Sequence, residues 1–230
     1  MPRWETVNVM TIASTVVRDH ERLSELMIRL QTIESGQDRG AADQAVTAVV
    51  AHVFATRRHL CGAVRGTAGG GCVSADEHSL RRLEVAATDV LRSNLGDVRL
   101  RASRGAVIAR LADAFDEHRR VEEDGGLLLR VEQSVPPQAS FQLAQRLTDG
   151  LTDSPSRPHP WVSRFGWLQR CLHAPLRRLD AIRDVLDNRI PPPPPRRVRI
   201  PEQLAATAGA VSSVPASPSA LNRAGSPARG

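Results

Sequence analysis

The chain has 230 residues, of which 41% are hydrophobic, 24% are charged and 3% are aromatic. This composition suits one mid-sized domain with an appendage and excludes a collagen, a membrane channel and a disulfide scaffold. No run approaches the roughly 18 apolar residues of a membrane-spanning helix, and the charged N-terminal region lacks a signal-peptide core. We therefore expect a cytoplasmic protein with no membrane span, in which the three cysteines are free thiols.

The net charge of +6 is unevenly distributed along the chain. Residues 1–153 contain 19 arginines and 21 acids, whereas residues 154–230 contain 12 arginines and 4 acids. The near-neutral first part has no electrostatic signature of nucleic-acid binding, so no nucleic-acid partner is expected. The arginine-rich C-terminal part is instead suited to an acidic partner.

Four segments place apolar residues at three- and four-residue steps, which predicts amphipathic helices and no strand. The first stripe consists of Ile12, Val16, Leu23, Met27 and Leu30. The second consists of Val46, Val49, Val53, Leu60 and Ala63, before the glycines at 69–71. The third begins with a predicted capping box at Ser74 and Glu77 and continues through Leu80, Leu83, Ala87, Val90 and Leu91. The fourth runs through Val107, Leu111 and Phe115 to Leu129.

Four such helices with short connections predict an all-α fold, an antiparallel up-down four-helix bundle over residues 1–153. A shorter helix is expected from Gln138 to about Gly150. Residues 154–190 form a predicted helical extension, broken near Pro175, whose apolar stripe we interpret as packing onto the bundle in preference to a membrane surface. Residues 191–230, which open with five prolines, are predicted to be a polyproline stretch and a disordered tail rich in Pro, Ala and Ser.

Each predicted bundle helix carries one histidine: His20, His52, His78 and His118. Taken singly, an inward histidine is more typical of a hydrogen-bonded core residue than of a metal ligand. His118 and Glu122 are four residues apart, however, so they project from one helix face and can reach one metal ion. Imidazoles and carboxylates inside a helical bundle are the donors of paired iron or manganese sites. The joint pattern therefore predicts a metal site in the bundle core.

Local runs in the four segments resemble the hemerythrin-like (HHE cation-binding) domain proteins of the actinobacterial type. The runs are Asp19-His20 with Leu23, His52 with Leu60, Ala63 and Val64, Glu77-His78, and His118 with Glu122 and Glu123. The resemblance covers roughly residues 8 to 190 and implies a non-haem iron centre, usually a di-iron pair. It also implies that the centre binds dioxygen, nitric oxide or peroxide. The metal ligands that it implies here are His20, His52, His78, His118 and Glu122.

Two positions depart from the family pattern. Thr56 stands four residues after His52, where the family places a second bridging carboxylate, so a di-iron pair, one ion or no metal all stay open. His59 and Glu123 are the two candidates for a substitute ligand. His78 lies nearly opposite the stripe of its own helix when 100° is counted per residue, which indicates either an irregular helix or a solvent-facing ring.

The primary hypothesis is a hemerythrin-like iron-binding protein that binds or senses oxygen, nitric oxide or peroxide. It is more consistent with a binding or sensing protein than with an enzyme, although a peroxide-consuming enzyme is a further alternative. The second hypothesis is a degenerate bundle that has lost its metal and acts as a structural or interaction module through its basic tail.

Overall fold

The computed structural model describes residues 11–32, 39–64, 70–160, 162 and 166–189, without the side chains of 70–72 and 166–170. Within these ranges the chain is helical and contains no strand, which confirms the predicted all-α class. The α-helices are α1 (Ile12–Thr32), α2 (Arg39–Ala55), α3 (Cys61–Val64), α4 (Gly70–Asn94), α5 (Val98–Ala102), α6 (Arg104–Glu123), α7 (Leu127–Ser134), α8 (Pro137–Asp153) and α9 (Gly166–Leu186).

The core lies between α1, α2, α4, α6 and α8. Helix α4 packs along α6 and α2, while α1 contacts α2, α6 and α8. Helix α2 is buried on most of its circumference, as expected for an apolar helix surrounded by others. The predicted stripe of α1 is buried from Ile12 to Leu30, and two polar residues, Asp19 and His20, are buried with it. Polar side chains therefore enter the interior at the middle of α1.

A single π-helical turn, Thr56–Leu60, joins α2 to α3. The backbone N–H of Cys61 donates to the carbonyl oxygen of Thr56, which closes the wide turn. Single π turns inside α-helices frequently occur at functional sites, because the extra residue changes which side chains face inward. Here the turn leaves Thr56, Leu60 and Cys61 buried and His59 half-buried.

Helix α4 begins earlier than the sequence predicts. It starts at Gly70, so Ser74 lies in its second turn with an exposed side chain, and the predicted capping box is wrong. Gly70 and Gly71 likewise belong to the helix and do not terminate the preceding one. The reason is that Val73 packs into the core, which extends the buried face of α4 by one turn towards its N-terminus.

Helix α9 continues through Pro175, so the predicted break at this residue is also wrong. Beyond the proline, Asp180 and Asp184 are buried, and both accept hydrogen bonds from Arg157 in the segment after α8. These contacts hold the second half of α9 in line with the first. The predicted packing of the apolar stripe is only partly right. Leu172 and Leu176 are half-buried, but Leu179 and Ile182 are exposed.

A buried ionic network joins the segment after α8 to α2. Arg189 lies 3.1 Å from Asp43 and donates to Asp184 at 2.8 Å, and Arg157 donates to the same oxygen of Asp184 at 2.8 Å. The predicted boundary after residue 153 coincides with the end of α8, but the division into domains stays a prediction. The polyproline stretch and tail predicted for 191–230 lie outside the described residues. Among the described helices, none is both long and apolar enough to cross a membrane.

Candidate metal centre

Four side chains from three helices converge in the core: His20 of α1, His52 of α2, and His118 and Glu122 of α6. We refer to these residues as the His/Glu cluster. All four are buried, and each offers one donor atom, the four lying within 4.8 Å of one another. The sequence-predicted ligands other than His78 are therefore brought together by the fold.

The oxygen Oε2 of Glu122 faces all three imidazoles. It lies 3.0 Å from Nε2 of His20, 3.0 Å from Nε2 of His118 and 3.5 Å from Nε2 of His52. The Nε2 atoms of His52 and His118 are 2.8 Å apart. His118 and Glu122 meet because they are one turn apart on α6, as the sequence spacing predicts.

Several of these atoms have no hydrogen-bond partner among the described residues. They are Nε2 of His20 and both carboxylate oxygens of Glu122. Buried polar atoms are nearly always hydrogen-bonded, because desolvation without a partner costs about 1–3 kcal/mol or more for a charged group. Close approach without hydrogen-bond geometry indicates that the donor atoms are directed at a common point.

The outward ring nitrogens are each held by a polar side chain. Nδ1 of His52 donates to Asp19 Oδ2 at 2.9 Å, and Nδ1 of His20 lies 2.6 Å from Glu123 Oε1. Nδ1 of His118 lies 3.0 Å from Ser79 Oγ, whose hydroxyl donates to the carbonyl oxygen of Asp76. A carboxylate or hydroxyl on one ring nitrogen fixes the tautomer and leaves the lone pair of the other for a metal. All three imidazoles have this arrangement.

Burial and the neighbouring charges shift the pKa values within the cluster. Burial alone would lower the pKa of His52, but its contacts with Asp19 and Glu122 raise that pKa to about 10. The pKa of His118 is lowered by burial. Burial opposes ionisation of Glu122, yet the facing imidazoles, His118 foremost, hold the pKa of this carboxyl well below its usual range. Without a metal, the cluster therefore contains a protonated His52 next to an ionised Glu122.

Four of the six separations between donor atoms match those expected around a single ion. A metal about 2.1 Å from each nitrogen or oxygen separates neighbouring donors by about 3.0 Å in octahedral and about 3.4 Å in tetrahedral geometry. The separations between Glu122 and the imidazoles, and between His52 and His118, span 2.8 to 3.5 Å. Three imidazoles and one carboxylate can thus hold a transition-metal ion.

His78 does not join the cluster. Its side chain is exposed on α4, near Arg82 and Arg110 in a groove open to solvent. Its prediction as a ligand is therefore corrected, because α4 is regular at this point and its inward face is set by Asp76, Ser79, Leu80 and Leu83. The periodicity of the helix, and not the resemblance, gives the orientation of His78.

Neither candidate substitute ligand lies on the donor side of the cluster. Glu123 contacts the outward nitrogen of His20. The ring of His59 packs against Gly150 of α8, so closely that a Cβ at this glycine would lie 3.1 Å from the ring. Burial and the charges of Arg58 and Arg146 lower the pKa of His59 to about 4. Thr56 is buried, and its hydroxyl oxygen has no hydrogen-bond partner among the described residues.

The residues that hold the imidazoles were not identified as such from the sequence. Asp19, Asp76 and Ser79 are all buried, and Cys61 donates its thiol proton to Asp76 Oδ2 at 3.3 Å. Burial and the charge of Asp76 raise the pKa of this thiol, which keeps it protonated. A signal was present, because Asp19 falls in the stripe between Val16 and Leu23, and Asp76 and Ser79 precede Leu80 and Leu83 at helical spacing.

Comparisons with protein-family models, with curated proteins and with solved structures return no match for this chain.

Proposed function

We propose that this chain is a hemerythrin-like protein that binds one non-haem iron ion at the His/Glu cluster and binds or senses oxygen, nitric oxide or peroxide. The single observation that supports this is the convergence of three Nε2 atoms and one carboxylate oxygen in the core. Some of these buried atoms have no hydrogen-bond partner among the described residues. The proposal includes an antiparallel up-down bundle of α1, α2, α4 and α6, and a cytoplasmic location. The proposed role is that of a binding or sensing protein in preference to an enzyme.

The donor set is compatible with iron, and the resemblance to hemerythrin-like proteins selects iron among the ions that such donors bind. Imidazole and carboxylate donors suit non-haem iron, and sites of two histidines and one carboxylate with open positions are characteristic of ferrous oxygen chemistry. When bound, the ion supplies reversible redox chemistry and an affinity for small diatomic ligands. Buried hydrophobic residues limit the access of water, among them Phe115, whose ring lies 6.0 Å from the ring of His20.

The remaining residues hold the imidazoles in place. Asp19 and Glu123 accept from Nδ1 of His52 and His20, and Ser79 does so for His118. These contacts keep the lone pairs of the Nε2 atoms directed at the common point. Glu122 contributes the negative charge that balances a cation in a buried setting.

The arrangement favours one ion over a pair. A di-iron pair needs bridging carboxylates to offset the repulsion between cations, and Thr56 provides no charge at the second bridging position. Asp76 is another buried carboxyl beside the cluster, but its Oδ1 lies 3.5 Å from the outward nitrogen Nδ1 of His118, and Cys61 donates to its Oδ2. Asp76 therefore lies behind the ring of His118 and is poorly placed to bridge ions held by the Nε2 atoms.

The test is the metal content of the full chain, loaded anaerobically with ferrous iron and measured by elemental analysis. We expect one iron per chain, a higher melting temperature with iron, and an optical or electron paramagnetic signal that changes with nitric oxide. His118→Ala and Glu122→Gln should lose the iron, while His78→Ala should keep it. A folded chain that takes up no iron would rule out the proposal.

A second candidate function is a metal-free interaction module. The observation that favours it is the 3.5 Å distance between Nε2 of His52 and Oε2 of Glu122, because the raised pKa of His52 lets this pair balance part of the buried charge without any cation. In that case a chelator leaves the melting temperature of the purified chain unchanged, and His118→Ala costs only the free energy of a modest core cavity.

A further inference from the structure

Helix α9 directs its acidic residues inward. Asp180 is buried and lies 3.0 Å from Nε2 of His159, and it accepts the backbone N–H of Arg157 at 3.2 Å. Asp184 is buried one turn later and accepts from Arg157 and Arg189. These are the two acids among the described side chains of α9. The solvent side of this helix therefore carries no negative charge between residues 171 and 186.

The same side exposes large apolar residues among arginines. Its exposed apolar residues are Leu179, Ile182, Val185 and Leu186, and Arg178 and Arg183 are exposed with them. Steps of three and four residues place these side chains in one stripe along the helix. Among the described residues this is a continuous run of exposed hydrophobic side chains, whereas Ile28 and Val98 are exposed singly on other helices. We call this stripe the α9 outer face.

We propose that the α9 outer face binds the surface of a lipid bilayer that contains anionic lipids, with the helix lying in the plane of the interface. A helix with arginines beside an exposed apolar stripe buries the apolar side chains at the level of the acyl boundary and leaves the guanidinium groups among the phosphates. The bound form is peripheral and requires no membrane-spanning helix.

Charge complementarity selects this occupant over a second copy of the chain. Two outer faces packed together would bring Arg178 and Arg183 of both copies into one apolar interface with no acid from either face. An anionic bilayer instead supplies phosphates that pair with these side chains. The sequence continues with Arg196, Arg197 and Arg199, which adds positive charge 10 to 13 residues after the end of α9.

The experiment is flotation of the full chain with vesicles of phosphatidylcholine, either alone or mixed with phosphatidylglycerol. We expect binding to the mixed vesicles only, and weaker binding at high salt because the attraction is screened. The double variant Ile182→Ser with Val185→Ser should bind about tenfold more weakly, because it removes apolar area from the interface. The double variant Arg178→Gln with Arg183→Gln should also bind more weakly, by up to about tenfold, because each arginine near an anionic surface adds to the affinity.

A matched control comes from exposed apolar residues elsewhere. Ile28 and Val98 are 61% and 80% exposed, compared with 60% and 79% for Ile182 and Val185. The double variant Ile28→Ser with Val98→Ser should therefore bind vesicles like the unmodified chain. The proposal is overturned if the chain does not bind anionic vesicles. It is also overturned if Ile28→Ser with Val98→Ser loses as much vesicle binding as Ile182→Ser with Val185→Ser. A dimer in solution that Ile182→Ser with Val185→Ser dissociates also overturns it, in favour of self-association.

Discussion

His52 and His118 face each other across the core with their Nε2 atoms 2.8 Å apart. His52 donates its Nδ1 proton to Asp19, so a hydrogen bond between the two Nε2 atoms requires a second proton on His52. The raised pKa of His52, about 10, and the lowered pKa of His118 agree with this assignment. In the metal-free protein a proton is therefore shared between two of the donor atoms of the proposed metal site.

Metal binding should release this proton. Because His52 is protonated below its pKa of about 10, the apparent affinity for ferrous iron should rise about tenfold per pH unit between pH 6 and 9. Calorimetric titration in buffers of different ionisation enthalpy should show release of about one proton per ion at neutral pH. An affinity that does not change with pH would contradict the assignment of the proton to His52.

Replacing Asp19 with asparagine should weaken metal binding without unfolding the chain. The variant Asp19→Asn removes the carboxylate that orients His52 and raises its basicity, and such partners typically contribute 10- to 100-fold in metal affinity. We expect a loss in that range, measured by competition with a chromogenic chelator. Glu21→Gln is the matched control, since Glu21 lies exposed on the same helix and should leave the affinity unchanged.

Thr56 offers a test of both the unpaired hydroxyl and the missing carboxylate. Thr56→Val removes a buried oxygen that has no hydrogen-bond partner among the described residues, so the free energy of unfolding should stay equal or rise by about 1 kcal/mol. Thr56→Glu should lower it by about 3–5 kcal/mol without metal, because the new carboxylate is buried beside the π turn without a partner.

Iron should recover much of that loss in Thr56→Glu and should raise the metal content above that of the unmodified chain. Chemical denaturation with and without ferrous iron measures both effects. If Thr56→Val instead destabilises the protein by more than 1 kcal/mol, the hydroxyl makes an interaction that the geometry does not account for.

His59 should make the protein less stable in mild acid. Its pKa is about 4 in the folded chain and about 6.5 when unfolded, so the unfolded state binds the proton first as the pH falls between these values. The free energy of unfolding should therefore decrease over this range. Since the ring is half-buried, the contribution of His59 is discounted to about 1 kcal/mol. Urea denaturation at pH 7 and pH 4.5 should show a smaller decrease for His59→Gln than for the unmodified chain.

The sequence was most informative where a helix face is defined by local spacing. The stripe from Ile12 to Leu30 is buried as predicted, and His118 and Glu122 meet as their four-residue spacing requires. Prediction failed where contacts distant in sequence decide the outcome. Burial of Val73 extends α4 past Ser74, and the ionic contacts of Asp180 and Asp184 hold α9 beyond Pro175.

The sequence alone determined the helical class, the position of each histidine along its helix, and the pairing of His118 with Glu122, because these follow from the 3.6-residue repeat. Only the tertiary structure decided that His20 and His52 turn towards that pair while His78 faces solvent. It also supplied Asp19, Ser79 and Glu123 as partners of the outer ring nitrogens. The physical reason is that local spacing fixes which residues share a face, whereas packing between helices fixes which face is buried and what it meets.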